Sequence, residues 1–200
     1  LFYGNKGAVD LTGFKTVVQP VEFFAMQASP VNSVLAAGQQ IQQKLIFQTK
    51  AAFADPPQLA LALTPVGSSM RTVTLRLPTV PSRFLTPVTD LDATTFMAKW
   101  RDVPGAANET QSVFKTASPI DVEAIGARVK VLNVGVLTNV DPNAANMVLA
   151  ANFTSTAGEN LVMLRLETNA EQQMIRLTCR SKDAQLASSM HKFVKPTLEQ

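Results

Sequence analysis

The sequence predicts a β-sandwich followed by an α+β unit. Three observations predict it: period-two alternation without helical patterns up to about residue 84, prolines at Pro78, Pro81 and Pro87, and mixed helical and strand patterns beyond them. We therefore place the domain boundary so that the units are 1–84 and 85–200. Because 46% of the residues are hydrophobic and 16% are charged, the chain has the composition of a folded protein with a sizeable core.

Short alternating segments predict the strands of the first unit. Segments 40–48, 59–63 and 71–77 place apolar residues at alternate positions. In the first of them the apolar face consists of Ile41, Leu45 and Phe47. Turn signals rich in proline, glycine and asparagine separate the segments. Because the first four residues already have a strand pattern, we expect at least one earlier strand before them.

Three helices and four strands are predicted in the second unit. The helices cover 89–101, 121–130 and 181–195. The strands cover 132–137, 146–154, 161–167 and 173–180. Ser181 is expected to cap the last helix, and Pro196 is expected to end it because proline removes a backbone donor.

Residues that carry catalysis or bind metals are scarce in this sequence. There is one histidine, His191, on a helix face that we expect to be solvated, and one cysteine, Cys179. A zinc site needs several such ligands at close spacing, and no glycine-rich phosphate loop is present. Cys179 is in phase with Ile175 and Leu177, which predicts a buried thiol. We therefore expect no enzyme, no cofactor and no metal; the alternative, an enzyme dependent on His191, is tested by His191→Ala.

The charge pattern argues against a polyanion as partner. The formal net charge is +3, and lysines and arginines do not cluster in runs. A mildly basic domain that binds anionic lipid or nucleic acid remains as an alternative. Segments 108–110 and 152–154 match the N-glycosylation pattern of secreted proteins, whereas a single cysteine suits a reducing compartment. The longest apolar stretch is interrupted by polar residues, so we expect no insertion into a membrane.

Two neighbouring strands predict a charged surface. Arg165 lies on the polar face of one strand, and Arg176 and Arg180 lie on the polar face of the next. A short turn near 168–171 would pair the strands and make Arg165 and Arg176 cross-strand neighbours. Either an external anion or carbonyl lies between the two guanidinium groups, or Glu167 partners them on a solvated face. The spacing leaves both interpretations open.

The single tryptophan supplies a second candidate feature. Trp100 follows Phe96 by four residues on a predicted helix, so the two rings share one face. Core packing is the ordinary role of such a ring. If this helix adjoins the arginine strands, the rings instead form an aromatic shelf beside guanidinium groups. That arrangement suits a peptide with one aromatic anchor and one carboxylate.

The chain resembles the α-adaptin appendage, or ear, family of clathrin adaptors. The segments that carry the resemblance, in order along the chain, are Phe2-Tyr-Gly-Asn-Lys6, Gly38-Gln-Gln-Ile-Gln-Gln43, Phe96-Met-Ala-Lys-Trp100, Val113-Phe-Lys115, Asp141-Pro-Asn-Ala-Ala-Asn146, Leu164-Arg-Leu-Glu-Thr-Asn169 and 173–183. The similarity spans essentially the whole chain. It implies an immunoglobulin-like sandwich followed by a platform, which agrees with the two units inferred from periodicity.

The resemblance implies a recruiting function at clathrin-coated pits of the plasma membrane. Family members bind disordered tails of endocytic accessory proteins through Asp-Pro-Phe, Asp-Pro-Trp and Phe-x-Asp-x-Phe motifs. The implied location is cytoplasmic and peripheral on the membrane, with other adaptor subunits bound through the rest of the protein and the clathrin coat contacted indirectly. A β-adaptin-type appendage that binds clathrin and accessory proteins is the alternative within this class, and the arginine hairpin argues against it.

The resemblance also implies the binding residues. Those matching the platform pocket are Phe96, Trp100, Glu109, Arg165, Glu167, Arg176 and Arg180. Those matching the sandwich site, which takes Trp-x-x-Phe motifs, are Phe2, Gly4 and Gln40. Trp100 and Phe96 would form the apolar floor for a ligand aromatic. Arg165 and Arg176 would bind its carboxylate or carbonyls, and Glu109 its backbone amides.

Two positions of the platform depart from the family pattern. Met97 stands where a second aromatic residue is frequent, which softens one wall of the pocket. Thr168 stands where proline is usual in the hairpin. The family's sandwich site also uses a basic residue on the strand that we expect before Leu1. We therefore expect the platform site to transfer more completely than the sandwich site.

Overall fold

The computed structural model describes residues 1–200 and divides into two compact units. The first unit is formed by 1–50 and 56–79, and the second by 51–55 and 80–200. The observed division therefore falls between Pro78 and Pro81, inside the proline cluster. Segment 51–55 belongs to the second unit because the Phe53 ring packs edge-to-face against the rings of Phe84 and Phe153, with centroids 5.7 and 6.4 Å away.

Seven antiparallel strands form the first unit. They are β1 (Phe2–Gly4), β2 (Leu11–Val18), β3 (Phe24–Ala28), β4 (Gln40–Gln42), β5 (Leu45–Thr49), β6 (Gln58–Pro65) and β7 (Arg71–Arg76). The pairings are β1–β4, β3–β5 and β2–β6–β7. Inward side chains of these strands, with Leu35 and Leu77 from the segments outside them, form a core that also contains Tyr3, Phe14, Leu59 and Leu61. The predicted β-sandwich is thereby confirmed.

Gln43 divides the predicted strand 40–48 into β4 and β5. Its side chain is 2% exposed, and its amide oxygen accepts a hydrogen bond from the Tyr3 hydroxyl at 2.7 Å. Its amide nitrogen donates to the Ser29 carbonyl at 2.7 Å and to the Thr16 hydroxyl at 2.8 Å. This buried polar network has Gln43 pointing inward, in phase with Ile41, Leu45 and Phe47, so the alternation of inward and outward side chains continues through the break between the two strands. The predicted apolar face of 40–48 packs on one core.

One six-stranded antiparallel sheet and three helices form the second unit. The strands are β8 (Leu85–Pro87), β9 (Glu109–Lys115), β10 (Gly135–Leu137), β11 (Met147–Ser155), β12 (Gly158–Asn169) and β13 (Met174–Ser181). The helices are α1 (Ala93–Asp102), α2 (Val122–Val131) and α3 (Ala184–Leu198), with short 3-10 turns at Pro81–Phe84 and Ala106–Asn108. The strand order is β10-β11-β12-β13-β9, and β8 also pairs with β11. The predicted α+β unit is confirmed, although β9 had not been predicted.

The two faces of this sheet are covered differently. One face carries the fully buried side chains of Leu149, Leu164, Leu166, Ile175, Leu177 and Cys179. Helix α3 contacts β13 and β9. On the other face, α1 packs through Phe96 and Trp100 against Val148, Ala150 and Met163 of β11 and β12. Because that core cluster contains no residue of β9 or β13, the second face stays open next to Trp100.

Helix α3 differs from its prediction at both ends. Ser181 is the last residue of β13, and its hydroxyl donates to the Leu161 carbonyl at 2.9 Å. Asp183 caps the helix instead, because its carboxylate accepts from the amides of residues 185 and 186 at 2.9 and 3.1 Å. Pro196 lies inside the helix rather than ending it. The buried side chain of Leu198 keeps the last turn packed despite the missing proline donor.

Candidate functional site

Three arginines lie on the open face of the β12–β13 hairpin. Arg165 pairs with Thr178, so Arg176 and Arg180 are its two diagonal neighbours. Arg176 itself lies directly opposite Glu167. The expectation that Arg165 and Arg176 are direct cross-strand neighbours is therefore wrong.

The position of the hairpin turn explains this difference. β12 continues to Asn169 and β13 begins at Met174, so the turn occupies 170–173 rather than 168–171. Gln173 adopts a φ of 52°, a left-handed conformation that closes the turn before β13. Moving the turn shifts the pairing register of every residue along the two strands, which places Glu167 and not Arg165 beside Arg176.

Each guanidinium group has a carboxylate partner. The pairs are Arg165–Asp141 at 2.9 Å, Arg176–Glu167 at 3.4 Å and Arg180–Glu109 at 2.5 Å. Three positive charges are thus matched by three negative charges on one face. Of the two interpretations that the sequence left open, Glu167 as partner is found for Arg176 only, because Arg165 binds Asp141 instead.

The three ion pairs differ in exposure. The side chains of Arg165 and Asp141 are 27% and 7% exposed, and those of Arg180 and Glu109 are 28% and 24% exposed. Arg176 is 51% exposed, and its contact with Glu167 is the longest of the three. Arg176 is therefore the guanidinium group most accessible to a ligand.

Trp100 lies under two of the guanidinium groups. The Arg180 and Arg165 guanidinium carbons are 4.8 and 5.9 Å from the indole centroid, within cation–π range. The ring stacks on Phe96 with centroids 5.6 Å apart and remains 9% exposed. Phe96 is 0% exposed, so the expected floor of two accessible rings is corrected: Phe96 supports the indole from inside, and only a narrow part of Trp100 reaches solvent.

Arg180 joins three elements of the second unit. Its Nε donates to the Glu109 carboxylate of β9 at 2.5 Å, and its Nη1 donates to the Trp100 carbonyl near the end of α1 at 3.1 Å. The last carbonyl groups of a helix lack intrahelical donors and favour a cation. Arg180 therefore fixes the end of α1 on the sheet, besides lying over the indole.

A loop that the sequence analysis did not assign to the site holds Arg165. Asp141 accepts from the Asn143 amide at 3.0 Å and from the Asn146 side chain at 3.3 Å, while its other oxygen binds Arg165. Burial raises the pKa of Asp141, but the Asn143 amide and the Arg165 guanidinium together hold that pKa below its usual value. The Asp-Pro-Asn turn signal was visible in the sequence, but its contact with β12 was not.

Thr168 attaches the same loop to β12. Its hydroxyl donates to the Ala145 carbonyl at 2.7 Å, and its amide donates to the Asn146 side chain at 3.3 Å. A proline at this position would have neither donor. Thr168 therefore supplies two hydrogen bonds that hold the Asp141 loop in place.

A cleft of about 290 Å³ adjoins Arg176 on the open face. Its lining residues are Val113, Glu167, Thr168, Asn169, Gln172, Met174 and Arg176. Val113 is 52% exposed and gives this cleft an apolar floor. Val113 belongs to β9, the strand absent from the predictions, so sequence reasoning missed it. The open face thus offers an indole edge, an accessible cation and an apolar cleft in succession.

The three residues proposed for the sandwich site lie on one exposed face of the first unit. Gly4 pairs with Gln40 and Phe2 with Gln42 across the β1–β4 sheet. Phe2 is 67% exposed, whereas the intervening Tyr3 points into the core. A Cβ at Gly4 would meet nothing within 4 Å, so this backbone is open to solvent. The structure therefore brings Phe2, Gly4 and Gln40 together on a bare surface.

His191 and Cys179 are both buried. The expectation of a solvated face at His191 is wrong: the residue is 7% exposed, and its Nε2 lies 2.8 Å from the Ser112 hydroxyl. Burial and the nearby Lys195 lower the pKa of His191. Cys179 is 0% exposed, which confirms the predicted buried thiol, and burial raises its pKa.

Neither a metal site nor a membrane-spanning helix is present among the elements of the structure. No group of three or more histidine, cysteine, aspartate and glutamate side chains is placed to hold a metal ion. None of the helices combines the length and the apolar character needed to cross a membrane.

Comparison with known proteins shows the family of this chain. The family model described as Alpha adaptin AP2, C-terminal domain, matches residues 83–198. The chain belongs to the α-adaptin family. The matched range of this α-adaptin appendage domain contains Trp100 and all three arginines of the open face.

Individual relatives match almost the whole chain. It is 32% identical over 193 residues to AP-2 complex subunit alpha-2 of Dictyostelium discoideum, covering 95% of this chain and 19% of the relative. It is 28% identical over 200 residues to AP-2 complex subunit alpha-2 of Arabidopsis thaliana, with coverages of 99% and 20%. It is 28% identical over 203 residues to AP-2 complex subunit alpha of Schizosaccharomyces pombe, with coverages of 99% and 23%. The α-adaptin domain thus spans about a fifth of the length of these relatives.

Proposed function

We propose that this α-adaptin domain is a non-enzymatic protein-interaction module of a clathrin adaptor. Its ligands are short peptide segments that combine an aromatic and an acidic side chain, as in Asp-Pro-Phe, Asp-Pro-Trp and Phe-x-Asp-x-Phe. The observation that carries the proposal is the clustering of Trp100 with Arg165 and Arg180 on an open sheet face, with accessible Arg176 beside them. An indole edge next to guanidinium groups complements such a segment in both shape and charge.

The three arginines have different parts in this binding. Arg176 binds the ligand carboxylate, because it is the most exposed and the least tightly paired. Arg165 and Arg180 stay with their carboxylates and hold the indole between them, so that the ligand ring packs on the exposed part of Trp100 and on the arginine stems. The Glu109 carboxylate accepts one hydrogen bond from Arg180 and accepts another from a backbone amide of the ligand.

Binding of one motif is expected to be weak. The exposed part of the site is small, and a disordered peptide loses conformational freedom when it binds, so we expect dissociation constants on the order of tens of micromolar. Tails with several motifs then bind much more tightly through effective concentration.

The names of the relatives, which are subunits of AP-2 complexes, support a proposal for the cellular setting. We propose that the rest of the protein assembles with other adaptor subunits and that this domain acts in the cytoplasm, peripherally on the plasma membrane at clathrin-coated pits. There it recruits endocytic accessory proteins and contacts the clathrin coat indirectly. Nucleic acid and the membrane interior are not ligands in this proposal. The family match favours it over a β-adaptin-type appendage.

Calorimetric titration with an Asp-Pro-Phe peptide tests the platform site. Arg176→Ala is expected to weaken binding about two- to fivefold, because the ligand carboxylate loses an exposed ion pair and meets Glu167 without its cation. Arg71→Ala removes an exposed arginine of β7 and is the matched control, with affinity expected to be unchanged. Equal binding by wild type and Arg176→Ala would remove the assigned site.

The exposed Phe2 favours a second peptide surface on the first unit. We propose that Phe2, Gly4 and Gln40 bind a Trp-x-x-Phe segment, with the Phe2 ring as its apolar contact. A Phe2→Ala variant that binds such a peptide as tightly as wild type would rule this surface out.

A further inference from the structure

The Arg176–Glu167 pair differs from the two other ion pairs of the open face. Both of its side chains are substantially exposed, 51% and 35%, and its single contact is 3.4 Å long. Asp141 is instead held by Asn143, Asn146 and Arg165, and Glu109 by a 2.5 Å contact with Arg180. Only Glu167 can leave its arginine without disturbing a loop or a helix end.

We propose that Glu167 determines the specificity of the platform by acting as an intramolecular competitor for Arg176. In the free domain its carboxylate occupies the guanidinium group, and the carboxylate of an incoming peptide displaces it. This inference rests on the proposed function and names a regulatory element of the same site. The displaced Glu167 side chain stays at the cleft of about 290 Å³ that it lines, where water solvates its carboxylate.

The competitor changes what an acidic group contributes to binding. Replacing one carboxylate by another on the same guanidinium gains little, since exposed ion pairs of this kind are weak. A peptide that offers only acidic residues therefore gains almost nothing over Glu167. A peptide that also places an aromatic ring on Trp100 gains the ring contact in addition. Glu167 thus makes binding depend on the aromatic residue and excludes simple polyanions.

The position of Glu167 also disfavours runs of acidic residues. After displacement its charge stays on β12, opposite Arg176, close to any second carboxylate of the peptide. Like charges at such a distance repel each other. The site therefore favours one acidic residue next to an aromatic residue over an acidic cluster.

Glu167→Gln tests the proposal, because it removes the charge and keeps the shape. Titrations use an Asp-Pro-Phe peptide and its Asn-Pro-Phe counterpart at low and physiological salt. We expect the variant to bind the aspartate peptide about two- to fivefold more tightly than wild type, with a steeper salt dependence, and the asparagine peptide with unchanged affinity. Glu171→Gln makes the same charge change in the exposed turn of the same hairpin, and its affinities are expected to match wild type.

Two results would overturn the competitor role alone. One is unchanged or weaker binding of the aspartate peptide by Glu167→Gln while wild type binds it, which would make Glu167 a bystander or a direct ligand contact. The other is an equal gain for both peptides, or an equal gain in Glu171→Gln, which would indicate a general charge effect. Failure of wild type itself to bind the aspartate peptide would overturn the proposed function as well. Melting curves confirm that each variant is folded.

Discussion

Arg176 and Arg180 lie on the same side of β13, yet they have different surroundings. Arg180 binds the Glu109 carboxylate and the Trp100 carbonyl and lies over the indole, whereas Arg176 has one exposed contact with Glu167. Four residues of strand separate them, a distance of about 13 Å. Arg180 is consequently a structural residue that shapes the open face, and Arg176 is the residue that we propose to bind the ligand carboxylate.

Replacement of Arg180 is expected to affect stability as well as binding. Arg180→Ala removes two hydrogen bonds and leaves Glu109 partly buried without its cation, so the free energy of unfolding should fall by about 1–3 kcal/mol. Trp100 is the only tryptophan, and loss of its covering guanidinium should shift its fluorescence to longer wavelength. Arg176→Ala should change neither quantity. A normal denaturation midpoint and an unchanged emission spectrum in Arg180→Ala would contradict this division of roles.

Residue spacing predicted which side chains are in contact better than it predicted how exposed those side chains are. The four-residue spacing of Phe96 and Trp100 placed the two rings together, and they are stacked as expected from helix geometry. Trp100 is covered by Arg165 and Arg180, and Phe96 is buried in the apolar cluster with Val148, which all come from distant positions in the chain. Local periodicity contains no information on contacts with distant residues, so the rings of Phe96 and Trp100 were predicted to be more exposed to solvent than they are.

At the scale of elements, the contact between α3 and β9 is expected to make stability depend on pH. His191 is buried against Ser112, with Lys195 nearby, and its pKa is lowered in the folded state. The folded protein therefore keeps the ring neutral at a pH where the unfolded chain, with a histidine pKa of about 6.5, already binds a proton. Stability should be constant with respect to this group above pH 7, should fall as the pH drops below about 6.5, and should level off below the folded pKa.

Urea denaturation at several pH values measures this effect. The slope due to His191 is at most about 1.4 kcal/mol per pH unit, the value for one proton. His191→Gln keeps a polar partner for Ser112 and cannot titrate, and since His191 is the only histidine, the decline between pH 7 and 5.5 should shrink. A decline of the same size in the variant would show that other groups cause it.

The hairpin shows why element ends are harder to predict than elements. Both strands were predicted from their alternation, because alternation is a local property. The turn was placed two positions too early, since Thr168 forms hydrogen bonds with the loop around Ala145 that extend β12 to Asn169. The start of α3 also depends on a contact with a distant residue. The Ser181 hydroxyl is bound to the Leu161 carbonyl of the neighbouring strand, so Asp183 caps the helix instead of Ser181.

At the scale of the whole molecule, the sequence sufficed for the fold class and for the order of the two units. Strand periodicity before the proline cluster and mixed periodicity after it both persist in the structure. The assignment of 51–55 to the second unit was not predictable, because it depends on the contacts of Phe53 with rings at residues 84 and 153. Long-range aromatic packing, and not local composition, therefore determines that segment 51–55 belongs to the second unit.

Above all, we propose that a motif peptide lies across the open face, with its aromatic ring at Trp100 and its carboxylate at Arg176. The most direct test is a chemical-shift titration of the isotope-labelled domain with an Asp-Pro-Phe peptide. We expect the largest changes at the Trp100 indole N–H and at the side chains of Arg165, Arg176 and Arg180, and we expect Arg176→Ala to reduce them at the same sub-saturating peptide concentration. Changes confined to other surfaces, or a Trp100 indole signal that does not move at saturation, would contradict the account.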